Sequence, residues 1–188
     1  MAALTRKNQT DVPAADGGLD PVDWIVDDHF RQRTICHVLE RVARNPRHGG
    51  NLSELEKASL YLEDELPLHF ADEEDDLIPL LGLRCEVGDR FSEISVALRE
   101  NHESERELTG AVAPELRRIL AGEPLANPVQ FFGNALRLCT IIRRHLVWEN
   151  GVLVPLARKR LKAPDFPYLA HKMASRRGGG VSKRCAAE

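Results

Sequence analysis

The chain has 188 residues, 43% hydrophobic, 5% aromatic and 29% charged, with a net charge of −3 from interspersed acids and bases. This balance argues against a basic nucleic-acid binder or a polybasic membrane-surface protein, and no run of about 18 apolar residues offers a membrane span or signal peptide. One domain with a single sizeable core is expected, located in the cytoplasm, where scattered Cys36, Cys85, Cys139 and Cys185 without a CxxC fit a reducing compartment and provide no thiolate metal site.

Leu, Ala, Glu and Arg are abundant and no stretch alternates β-branched residues, so the fold class is all-α. Residues 1–19 are polar and are read as a disordered N-terminal tail, ending at Asp20-Pro21, which has the chemistry of a helix start. A first helix runs to about Asn45, with Ile25, Cys36, Leu39 and Val42 on an apolar stripe that also holds His29. Pro46 and Gly49-Gly50 stop it. Asn51 and Glu54 resemble a capping box and open a second helix reaching about Leu83, where Pro67 and Pro79 predict a kink. A third helix starts near Gly88-Asp89 and carries Phe91, Ile94, Leu98, His102 and Leu108 before Pro114 and Gly122. The fourth opens at Asn127-Pro128, places Leu138, Ile141, His145, Trp148, Val152 and Leu156 inward, and ends near Leu161 in a basic turn. Residues 163–188, with Arg176-Arg177 and three glycines, are read as a flexible basic tail. Short connections between four long helices predict an antiparallel, up-down-up-down four-helix bundle.

A motif occurs twice, 76 residues apart: His69-Phe-Ala-Asp-Glu73 and His145-Leu-Val-Trp-Glu149. Residues four apart on a helix share a face, so each copy offers an imidazole and a carboxylate to one place. Depth along the bundle can be counted from turns centred near residues 48, 86 and 124. His29, His69, His102 and His145 then match their neighbours to within one or two residues, about 1.5–3 Å of axial rise. Four imidazoles in one layer, with Glu73 and Glu149 about a turn away, would be costly in an apolar interior without compensation. A metal pair compensates them, each ion taking two imidazoles and each carboxylate bridging. This donor set suits iron, with manganese and zinc as competitors.

The order His29, His69-xxx-Glu73, His102, His145-xxx-Glu149 on four successive helices resembles the hemerythrin-like, or HHE cation-binding, domain over residues 20–162. The phrase Asp20-Pro-Val-Asp-Trp-Ile-Val-Asp-Asp-His29-Phe-Arg-Gln-Arg and Leu66-Pro-Leu-His69 carry the resemblance further. It implies a non-haem di-iron centre with these six residues as ligands, the glutamates bridging, and open positions that bind or sense O2, NO or a peroxide. Oxygen-carrying relatives place two histidines four apart on the third helix. Here Leu98 and Arg106 flank His102 at that spacing, so the chain is more similar to bacterial members with four histidines and two glutamates. That class is linked to nitric oxide responses and to repair of damaged iron centres. The alternatives are iron storage or donation, a repair role, a di-iron redox enzyme, and a partner-binding bundle with a vestigial site.

Ferritin-like Glu-xx-His pairs are absent, since Leu66, Arg99 and Ile142 lie three before the histidines, and HExxH is absent too. His37, His48 and His171 are read as surface residues, and Cys36 and Cys139 as small core residues. Apart from Glu73, the run Asp72-Glu-Glu-Asp-Asp76 is read as a solvated face. Pro79 and Pro155 recur at equal offsets from the two glutamates and are candidates for shaping the helices beside the site.

Overall fold

The computed structural model describes residues 20–46 and 49–178, and among them it is all-helical, with no strand. The tail expected over residues 1–19, together with His48, Cys185 and residues 179–188, lies outside the described residues.

Helix α1 (Pro21–Arg44) begins where Asp20 Oδ1 accepts the Val22 N–H at 2.8 Å and Pro21, needing no partner for its nitrogen, occupies the first turn. Its end is closed by Gly49, whose N–H reaches the Asn45 carbonyl at 2.6 Å. A Cβ on Gly49 would lie 2.2 Å from the Arg41 carbonyl oxygen, so the close approach requires glycine. Helix α2 (Leu52–Leu60) opens with the expected capping box. Asn51 Oδ1 accepts the Glu54 N–H at 2.8 Å, and Glu54 answers on the Asn51 N–H at 3.3 Å.

From there the second rod continues to Arg84 with two interruptions. A π-helical turn, Tyr61–Glu65, precedes α3 (Leu66–Ala71), and a second, Asp72–Leu77, precedes α4 (Ile78–Arg84). A third, Glu149–Leu153, joins α6 (Pro128–Trp148) to α7 (Val154–Arg160). Each is followed by a proline at the second position of the next α segment: Pro67, Pro79 and Pro155. Proline has no N–H and its ring collides with the carbonyl four residues back; a widened turn removes both conflicts. The irregularity expected near the first motif therefore takes the form of π turns, and the second copy repeats it. Helix α5 (Phe91–Leu120), entered through Arg90 at φ 52°, continues past Pro114, further than the sequence suggests.

Helix α1 lies against α6, α6 against α5, and α2 against both α1 and α5. The buried apolar side chains form two clusters. One holds Leu39, Leu62, Leu116 and Leu138; the other holds Ile25, Leu77, Leu98 and Leu153. The inward histidines and glutamates sit where these two clusters meet along the rods.

One region departs from expectation. Residues 165–176, read as part of a flexible tail, form α8 (Asp165–Arg176), and Leu169 and Met173 are 1% exposed within the second apolar cluster. Phe166, Leu169 and Met173 are helically spaced, a signal masked by the neighbouring glycines and basic residues. Arg84 pins the start of α8 through two bonds to Asp165, at 2.8 and 2.9 Å.

The same substitution should have opposite signs at two glycines. Gly49→Ala should destabilise the protein by about 1–3 kcal/mol through the backbone collision. Gly110→Ala, in α5 where a Cβ meets nothing within 4 Å, should stabilise it by about 0.5–1 kcal/mol. Denaturant unfolding midpoints at unchanged slope would read both.

Candidate metal centre

The structure brings together all six residues singled out from sequence. His29 comes from α1, His69 from α3, His102 from α5 and His145 from α6; Glu73 and Glu149 come from the π turns Asp72–Leu77 and Glu149–Leu153. None is more than 2% exposed. Ligand-type atoms of His29, His69, Glu73 and Glu149 lie within 4.8 Å of one another, as do those of His102, His145 and Glu149. Glu149 belongs to both groups: its Oε2 is 3.2 Å from His29 Nε2 and its Oε1 3.0 Å from His145 Nε2. Glu73 Oε2 lies 3.2 Å from His102 Nε2 and 3.8 Å from His69 Nε2, so it too faces imidazoles of both groups.

Each ring is oriented by its other nitrogen. Nδ1 of His29 faces Asn150 Oδ1 at 3.1 Å, that of His69 faces Asp28 Oδ2 at 3.2 Å, that of His102 faces Glu74 Oε1 at 2.5 Å, and that of His145 faces Glu105 Oε1 at 2.7 Å. An acceptor at every Nδ1 assigns the proton there when the ring is neutral and turns the Nε2 lone pair inward. The acceptors are themselves held. Tyr61 donates to Asp28 at 2.6 Å, Arg31 pairs with Asp28 at 2.6 Å, Arg106 donates to Glu74 at 2.9 Å, and the Asn150 amide donates to the Leu146 carbonyl at 2.7 Å.

Inside this frame, His29, His102 and His145 Nε2 and all four carboxylate oxygens of Glu73 and Glu149 are buried and make no hydrogen bond. Orphaned buried polar atoms are uncommon in a native interior, and here they converge. Imidazole nitrogens with pinned second nitrogens, aimed at shared carboxylates, are the arrangement that a bound cation satisfies.

Without a cation the layer is balanced by unequal protonation. Burial pushes the His69 ring down to about 3, against the opposing pull of Glu73, and so keeps it neutral. Burial works the same way on His145, but Glu149 and Glu105 outweigh it and raise that ring to about 11. His102 is raised by Glu73 and Glu74 despite its burial. Burial would raise Glu149, yet the His145 and His29 rings hold it below its ordinary value. Glu74 is likewise held at about 2 by His102 and Arg106 against burial.

Four orienting residues were not among the sequence candidates: Asp28, Glu74, Glu105 and Asn150. Glu74 and Asn150 each follow an inward glutamate by one residue, an offset repeated in the two motif copies. The acidic run needs correction. Asp72 and Asp76, read as part of a solvated face, are 1% and 4% exposed and pair with Arg176 and Arg177 from α8. That helix was invisible to the sequence reading, so their partners were as well. His37 and His171 are exposed, and Cys36 and Cys139 are buried core residues, as expected.

The chain belongs to the hemerythrin HHE cation binding domain family, whose sequence pattern matches residues 20–157. No curated protein matches it. The two inward-facing groups are clusters of His and Glu that could hold a metal ion, in a chain whose family is defined by cation binding. No helix among the described residues is long and apolar enough to cross a membrane.

The protonation pattern has a direct test in the metal-free protein. Imidazole nitrogen shifts should show His69 neutral at pH 5 and above, and His145 still cationic at pH 8. The His145 contribution to stability should be complete below about 6.5 and lost as the pH rises through about 11, because its folded value is the raised one. A neutral His145 at pH 7 would contradict this balance.

Proposed function

We propose that the chain is a cytoplasmic non-haem di-iron protein that binds or senses a small ligand, O2, NO or a peroxide, at open iron positions. The proposed ligands are His29, His69, Glu73, His102, His145 and Glu149. The supporting frame is an antiparallel, up-down-up-down four-helix bundle. The observation that carries the proposal is the inward turn of the imidazole Nε2 atoms onto two carboxylates while every Nδ1 is held from outside.

Bound ferrous ions would supply vacant coordination positions and electrons for the ligand. The chain's own residues do the rest. Glu73 and Glu149, each facing imidazoles of both groups, have the placement of bridges. Asp28, Glu74 and Glu105 orient the rings and add negative charge behind them, which raises ring basicity. Burial of all six ligands restricts access to small molecules and favours a retained centre over an iron donor. Beside His102, Leu98 is packed in the apolar core and Arg106 is engaged with Glu74 and the face of Phe70, so neither spacing supplies a fifth histidine. This favours sensing or reaction over reversible oxygen transport.

Anaerobically purified protein should hold two iron ions per chain and develop a coupled diferric Mössbauer signal after exposure to oxygen. Glu149→Ala, which removes the carboxylate common to both groups, should abolish the coupled signal; Glu74→Ala should weaken iron binding about 10–100-fold. A single zinc, or no metal in folded protein, would sink the di-iron reading.

A further inference from the structure

Helix α8 lies beyond the residues matched by the family, yet its C-terminal end meets the segment that carries Glu73. It packs on α1 and on the π turn Asp72–Leu77. Arg176 pairs with Asp72 Oδ1 and, at 2.7 Å, with Asp76 Oδ2; Arg177 donates to Asp72 Oδ2 at 2.5 Å. The Arg177 guanidinium also lies 4.8 Å from the centre of the Trp24 ring on α1, five residues before His29, and donates to the Met173 carbonyl at 3.0 Å. Asp72 and Asp76 are the residues one before and three after Glu73, all three are buried, and both aspartates take their cations from α8.

A π turn lacks the regular hydrogen-bond geometry of the helix around it, so contacts from outside add to what holds it in one conformation. Here the support is ionic and comes from an element distant in sequence. The geometry points to Arg176 and Arg177 as positioning residues for Glu73: α8 is a strap that fixes the π turn and thereby retains the bound cation. This rests on the proposed metal site. The strap's ion pairs go to the Glu73 turn and its cation–π contact to α1, so its effect reaches the site through Glu73.

The decisive experiment compares the wild-type chain with Arg176→Ala/Arg177→Ala, Arg176→Lys/Arg177→Lys and Arg41→Ala. The last removes an α1–α2 ion pair, to Glu54, away from the site. Iron-loaded proteins are mixed with a ferrous chelator and the rate of iron loss is followed; amide exchange over residues 72–77 is measured on the metal-free proteins. The double alanine variant should lose iron about 10-fold faster and exchange faster in this segment, the lysine variant should recover most of both, and Arg41→Ala should match wild type. If the double alanine variant does not fold, Asp76→Asn, which removes only the Arg176 contact, should give the same changes at smaller size. Unchanged iron loss from a loaded, folded variant overturns the strap while leaving the di-iron reading intact. A wild-type chain that takes up no iron overturns that reading, and unchanged exchange over 72–77 would then also exclude a purely conformational strap.

Discussion

Four imidazoles and two carboxylates sit in one layer of a helical interior, and the rest of the molecule is arranged around the cost of putting them there. A buried polar group without a partner costs about 2–7 kcal/mol, and a buried unpaired charge costs more. The layer also divides the apolar core in two, so that neither cluster extends through the whole domain. The metal-free protein meets the cost by splitting the rings into a neutral one, His69, and a charged one, His145, which is paired with carboxylates on both sides. Internal pairing of this kind is a poorer solution than a cation, because the inner faces of the carboxylates still lack hydrogen bonds.

The π turns explain how helices can deliver such a layer. Both motif glutamates, and the residue that follows each, lie in a widened turn: Glu73 points to the interior while Glu74 reaches His102 on another helix. The second copy repeats the device, with Glu149 inward and Asn150 on His29. Pro79 and Pro155 hold the widened turns in place, since each lies where a regular turn would need an N–H that proline lacks. In both copies a proline six residues after the glutamate thus follows a widened turn that carries an inner carboxylate and the outer support of a distant ring.

Much of this is legible in the sequence. Caps at Asp20, Asn51 and Asn127 marked helix starts, because capping is a local interaction with a local signature. The layer was legible because helical rise converts sequence distance into depth. What escaped detection depends on partners remote in sequence. Asp72 and Asp76 look like a solvated face until the end of α8 supplies Arg176 and Arg177, and the helical spacing of Phe166, Leu169 and Met173 is masked by the basic, glycine-ended stretch that follows. Asp28 and Glu105 are ordinary acids by spacing; only the rings opposite them reveal their role. The equal offset of Pro79 and Pro155 is plain in the sequence, but a proline marks a kink as readily as a change of helix type.

The outer supports also make the two halves of the site unequal. His102 and His145 each have a carboxylate behind Nδ1, Glu74 and Glu105, whereas the His29 and His69 pair has one carboxylate, Asp28, and one neutral amide, Asn150. Asp28 is further attenuated, because Tyr61 and Arg31 both engage it and burial favours its protonated form. Carboxylates behind an imidazole increase its electron donation to a bound cation. The His102 and His145 side therefore has the more strongly donating rings and the His29 and His69 side the weaker ones, so a cation held by this layer would meet two unequal pairs of imidazoles.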